Sequence, residues 1–220
     1  MDKNYSRIIE DIIVNRPARA FIKKAINEIF IINSRLDFIV LLLICLIGGV
    51  VSYKVTFALD TVNLVSKLCG HLLEIQLVMF SCIFAVYSIV LAFLSDEYMK
   101  CLAKITVNDG ISSLVQYTTY YESILFLYFI NITATALLLL FSCFLPIDAS
   151  LTSNLFKDNI LAFLGLFIYF SFSFRIFYEI KSTVYNTVIL FRYSIAYRFL
   201  SFAKEDEKNE QSLENKVDEV

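Results

Sequence analysis

Four long stretches without a charged side chain dominate the pattern of polar and apolar positions. Sixteen uncharged residues separate Asp37 from Lys54 and 21 separate Glu74 from Asp96. Another 25 separate Glu122 from Asp148, and 16 separate Asp158 from Arg175. A helix needs about 20 mainly apolar residues to cross a bilayer. The two shorter stretches reach that length when Lys54 and Arg175 extend their cations toward the headgroups and residues 55–59 and 176–178 add further turns. Pro146 supplies a stop for the third stretch. The pattern predicts an all-α integral membrane protein with four transmembrane helices, at 37–59, 72–95, 123–146 and 159–178. Burial of all four in one soluble core is excluded by size, because a 220-residue domain cannot wrap four such helices on every side.

The cations set the expected orientation. Seven Lys and Arg precede the first span, two lie between the second and third, and seven run from Arg175 onward; the stretch from Lys54 to Glu74 holds two and the third loop one. The positive-inside bias therefore places both termini in the cytoplasm. The first apolar run starts near Leu36, too far along for a secretory signal, and ends at Tyr53-Lys54 without a small-residue cleavage site.

Outside the spans the apolar period becomes helical. In residues 1–35, Pro17–Ile32 reads as an amphipathic helix, with Asn15 as N-cap and Ala18, Phe21, Ile22, Ala25, Ile26, Ile29 and Phe30 on one face. Arg19, Lys23 and Lys24 fall on the other, placed for contact with an anionic membrane surface. Packing against other cytosolic helices is the plainer alternative. A shorter helix of the same kind precedes it at Ile8, Ile9, Ile12 and Ile13. Spans two and three read as continuing into a cytosolic αα-hairpin over 96–122, turning at Asn108-Asp109-Gly110. Beyond span four, a cytosolic amphipathic helix is expected over 179–203. Ile176, Ile180, Val184, Val188, Phe191, Ile195 and Phe199 recur every three or four residues along it, with Arg192 and Arg198 off the stripe. So long a stripe needs a partner: the hairpin, the amphipathic helix, the same helix of another subunit, or a separate protein. Residues 204–220 are acidic and polar and read as a disordered tail.

Composition narrows the function classes. Hydrophobic residues make up 58% of the chain, charged ones only 18%, and mean hydropathy is +0.69. Five Gly and two Pro disfavour turn-rich β architectures. A net charge of −2 argues against direct nucleic-acid binding through a basic surface. One His and five scattered Cys leave no zinc pattern, and Cys69, alone on the expected outer side, has no disulfide partner there. No phosphate-binding Gly loop, carboxylate pair or nucleophile-base set is visible. The chain reads as a non-enzyme without cofactor or metal.

Three polar groupings remain. Arg35, Asp96, Glu97, Glu122, Arg175 and Glu179 gather at the inner ends of the spans as a charge collar, by ion pairing or by simple interfacial placement. Ser88, Asn131 and Thr135 lie inside apolar runs, where they would hydrogen-bond across helices. His71 and Glu74 share a face at the outer end of span two. No ionisable group sits at a span midpoint, which disfavours a proton-coupled transporter.

Two function classes fit. One is an oligomeric sensor or scaffold that offers the stripe Ile180, Val184, Val188, Phe191, Ile195 and Phe199 to a homo-oligomer contact or to a cytosolic protein partner. The other is a pore or ion-channel subunit lined by Ser88, Asn131, Thr135 and the charge collar. The layout across residues 1–204, with cytoplasmic termini, four spans and cytosolic helical extensions, resembles the membrane subunit of bacterial Kiwa anti-phage systems. That resemblance implies a homo-oligomer in the inner membrane, a soluble partner docked on the cytosolic helices and a role in antiviral defence. An Ile/Phe/Asn/Lys-rich composition fits an AT-rich bacterial genome.

Overall fold

The computed structural model describes residues 26, 35–58, 60–93, 96–105, 112–146 and 154–217; at 93, 96, 97, 104, 155 and 204–217 it describes the backbone alone. Five helices carry these residues: α1 (Arg35–Thr56), α2 (Thr61–Phe93), α3 (Asp96–Lys104), α4 (Ser113–Phe144) and α5 (Leu155–Val217). Among the described residues there is no strand. Helices α1, α2, α4 and α5 are each long and apolar enough to cross a membrane. Only 17–28% of each apolar window is buried within the chain, so the burial that would drive folding in water is largely missing. The expected helix at 17–32, with Arg19, Lys23 and Lys24, lies outside the described residues except for Ile26, which is helical and exposed.

Local chemistry fixes the helix ends. Asp60 and Thr61 tie the α1–α2 turn: the Thr61 hydroxyl donates to the Ala58 carbonyl at 3.1 Å, and the Asn63 amide donates to the Asp60 carboxylate at 2.7 Å. Asn154 caps α5 by accepting the Phe156 N–H on its side chain at 3.1 Å. Ser112 caps α4 through the Val115 N–H, and the Ile105 carbonyl accepts from Ser113 N–H at 2.8 Å, closing the α3–α4 connection.

Three expectations change. Helix α2 begins at Thr61 rather than 72, because Lys67, His71 and Glu74 share one exposed face while Cys69 and Gln76 turn inward on the other. Cys69 is therefore a buried free thiol, not a residue of an outer loop. Residues Asp96–Lys104 form helix α3, within the stretch expected as the hairpin. Residues 204–217 continue α5 instead of forming a disordered tail. They are rich in Glu and Lys, good helix formers, and no Gly or Pro follows Gly165.

The described residues fall into two units. One takes in 85–120 and 183–217, the other 35–84 and 121–182. In the second unit Val55, Cys69, Leu166, Tyr169 and Phe170 form the core, with residues such as Val51, Leu68, Ala134 and Leu138 packed around it. Gly48 lets α1 approach α5 closely: a Cβ there would lie 2.6 Å from Ser171 Oγ and 3.2 Å from Ser171 N. In the first unit Tyr98 and Leu102 of α3, Val115 and Thr119 of α4, and Thr183, Thr187, Leu190 and Ser194 of α5 are buried.

Candidate functional site

Two features of the structure bear on function: the outward face of α5 in the first unit and a buried polar layer in the second.

Along 183–203, α5 packs through its small polar face. Thr183, Thr187, Leu190 and Ser194 recur every three or four residues and are buried. The hydroxyls of Tyr120 and Thr183 lie 3.3 Å apart. Tyr197 lies 2.6 Å from Cys101 Sγ through its hydroxyl, and its ring centroid is 5.3 Å from that of Tyr98. Burial pushes the Tyr98 phenol up to about 12, with nearby Tyr117 and Cys101 adding to the shift. The bond to Cys101 likewise raises Tyr197 above the ordinary tyrosine value.

The apolar stripe therefore faces away from the hairpin elements. Val184, Val188, Ile195 and Phe199 are 57%, 44%, 55% and 70% exposed, and Phe202 continues the row. Phe191 is half-buried, between the two faces, and Ile180 is half-buried in the second unit. Of the four partners the sequence left open for the stripe, the hairpin takes the Thr/Ser face instead. Sequence periodicity marks the apolar stripe correctly as one face but is silent on which face packs. Close approach of helices favours small residues such as Thr and Ser.

The polar layer draws on three helices of the second unit. The Thr135 hydroxyl lies 2.7 Å from Gln76 Oε1, 2.7 Å from the Asn131 carbonyl oxygen and 2.7 Å from the Tyr169 hydroxyl. The Ser173 hydroxyl donates to Asn131 Oδ1 at 2.8 Å. The Cys69 thiol is hydrogen-bonded to Tyr169. Gln76, Asn131, Thr135, Ser173 and Cys69 are fully buried. Thr135 is nine residues, about 14 Å of helix, from the end of α4, and Tyr169 is 14 residues, about 21 Å, from the start of α5. Asn131 and Thr135 were both visible in the sequence as polar groups in apolar runs. Gln76, Tyr169 and Ser173 were missed; Gln76 stands two residues from Glu74, near the edge of its uncharged run. Ser88 is exposed and belongs to the first unit, so it does not join this layer.

Arg175 and Glu179 make a close ion pair in which both side chains are nearly buried, and the Arg175 guanidinium also lies over the Tyr178 ring at 5.4 Å. Lys181 donates to the Tyr178 hydroxyl at 3.1 Å. That bond, and the Tyr178 hydroxyl's proximity, hold its ammonium above the usual lysine range, with Asp37 and Glu179 contributing. Arg35 and Glu122 are exposed in the same unit; Asp96 and Glu97 begin α3 in the other. At the far end of α2, His71 Nδ1 and Glu74 are 3.8 Å apart and solvent-facing. Among the described residues no group of three or more His, Cys, Asp or Glu is arranged to hold a metal ion.

No family model, no curated protein and no solved structure matches this chain.

Proposed function

We propose that this protein is a membrane-anchored sensor or scaffold whose α5 offers the stripe Val184, Val188, Ile195 and Phe199 to a cytosolic protein partner. One observation carries this reading: α5 is far longer than a bilayer is thick, and it keeps exposed apolar side chains beyond its charged residues Arg175, Glu179 and Lys181. The segment Phe156–Ala203 has 48 residues, about 72 Å of helix, against a hydrocarbon layer of about 30 Å. Lipid can cover the exposed side chains of less than half of it. The ion pair Arg175–Glu179 and Lys181 support an exit from hydrocarbon before Val184, since charges avoid that layer. A row of exposed Val, Ile and Phe beyond that point is the kind of surface that monomeric soluble proteins rarely leave open.

The bias of Lys and Arg supports termini on the cytoplasmic side of a bacterial inner membrane, with the stripe on that same side. The Kiwa-like layout supports a homo-oligomer that passes an envelope signal to its soluble partner in anti-phage defence. In this reading the chain catalyses nothing and serves as a binding platform. Its test is photocrosslinking in the native host, with p-benzoylphenylalanine placed at Val188, Ile195 or Phe199 and, as control, at Ile168. The expected result is one discrete soluble adduct from the three stripe positions, lost when the other two are changed to Asp. Adducts only with lipid, or the same adducts from Ile168, would refute the docking reading.

A further inference from the structure

The buried amides of Gln76 and Asn131 each use one end and leave the other unmet. Gln76 Oε1 and Asn131 Oδ1 are engaged by Thr135 and Ser173, while Gln76 Nε2 and Asn131 Nδ2 have no hydrogen-bond partner among the described residues. Both side chains are fully buried, so a second copy of the chain or a partner protein cannot reach them. The buried hydroxyls of Ser52 and Thr56 also lack a partner, but a hydroxyl can turn to the carbonyl four residues back within its own helix. A primary amide in mid-helix has no such local option, and burying it unsatisfied costs about 1–3 kcal/mol. The missing partner must therefore be small and must come from outside the polypeptide.

Its chemistry follows from the surroundings. The layer holds Gln76, Asn131, Thr135, Tyr169, Ser173 and Cys69, all uncharged at neutral pH, so nothing there balances the charge of an ion. The two unmet ends are N–H2 donors, so the ligand must accept; with either amide turned over it would have to donate instead, and water meets both cases. A route is close by. Glu74 lies two residues before Gln76, about 3 Å along the axis of α2, and its side chain is 79% exposed, so water reaches that level of the helix.

We propose that the polar layer of α2, α4 and α5 binds internal water on the free amide ends of Gln76 and Asn131. Water there completes the network and lets neutral side chains fix the register of three helices within an otherwise apolar packing. The proposal rests on the packing of the second unit alone and stands or falls apart from the docking reading of α5.

The chain has three glutamines, Gln76, Gln116 and Gln211, so the Gln116→Glu, Gln211→Glu variant leaves one glutamine signal. The full chain, labelled with 15N at glutamine and reconstituted in lipid vesicles, is measured by water-to-protein polarisation transfer in solid-state NMR. The expected result is build-up at the Gln76 side-chain amide from water within milliseconds, with the signal itself persisting after transfer to D2O far longer than that of an exposed amide. A Gln76 amide that receives nothing from water in a fully helical sample overturns the proposal. A second measurement guards against a variant that fails to fold. Gln76→Leu and Asn131→Leu remove the amides, and each is expected to lower the thermal midpoint of the reconstituted chain. A raised midpoint would mean that dry, unsatisfied amides had been relieved, and would also overturn it.

Discussion

Helix α5 carries the same kind of surface in two places. Near its start, Phe156, Leu161, Leu164 and Ile168 point outward; further along, Val184, Val188, Ile195, Phe199 and Phe202 do so to a similar degree. In both places the inward face holds groups that hydrogen-bond, Tyr169 and Ser173 in the first and Thr183, Thr187 and Ser194 in the second. In our reading the difference lies in the surroundings. A bilayer covers the first surface without help from protein. By helix length the second has outrun the bilayer, so its apolar row is a binding edge. An exposed apolar residue thus has no fixed meaning until the medium around it is known.

Charge substitution breaks this comparison most sharply. Ile168→Lys puts an ammonium on a lipid-facing position and is expected to cost about 2.5–3.5 kcal/mol of insertion free energy, seen as loss of membrane-integrated chain. Ile195→Lys is expected to stay within about 0.5 kcal/mol for the chain alone while abolishing the stripe adduct. Equal insertion defects for both would end the distinction.

Glycine substitutions come next and sharpen the account of the second unit. Gly48→Ala drives a Cβ to within 2.6 Å of Ser171 Oγ and 3.2 Å of its backbone nitrogen, for an expected loss of about 1–3 kcal/mol in reversible detergent unfolding. Gly165→Ala meets nothing within 4 Å and should raise helix stability by about 0.5–1 kcal/mol. Removal of the shared hydroxyl in Thr135→Val should cost about 0.6 kcal/mol and at most about 1.7 kcal/mol, the range for polar contacts between membrane helices, in the same assay.

The smallest effect concerns pH. Tyr98 ionises near 12 in the folded chain and near 10 when unfolded, so the folded state favours the neutral phenol. Its contribution is intact below pH 10 and is lost as pH climbs from 10 through 12. Helicity followed by circular dichroism should fall over that window, and less steeply in Tyr98→Phe than in the unchanged chain.

Much of the architecture was legible in the sequence, for identifiable reasons. Four runs of 16–25 uncharged residues correspond to four helices, because span length is imposed by bilayer thickness and needs no tertiary information. The start of α2 was not legible. Lys67, His71 and Glu74 look like a loop in a linear reading, yet they share one face of a helix whose other face buries Cys69 and Gln76. The end of α5 was misread because charge-rich composition resembles disorder, while Glu and Lys also propagate helix when no breaker intervenes. In the polar layer, Asn131 and Thr135 stood out against apolar neighbours, but their partners Gln76, Tyr169 and Ser173 are set by three-dimensional register. The stripe on α5 was visible by period, whereas the packing of its Thr/Ser face on the hairpin depends on helix proximity that no period encodes.

The central claim, that the stripe lies beyond the bilayer, is open to one direct measurement. Spin labels at residues 164, 168, 188, 195 and 199 of the chain in lipid nanodiscs report collisions with dissolved oxygen, which concentrates in hydrocarbon, and with a water-soluble nickel chelate. The account predicts oxygen-dominated collisions at 164 and 168 and nickel-dominated collisions at 188, 195 and 199 in the purified chain. Oxygen-dominated collisions at all five positions would show the stripe to be lipid-covered and would contradict it.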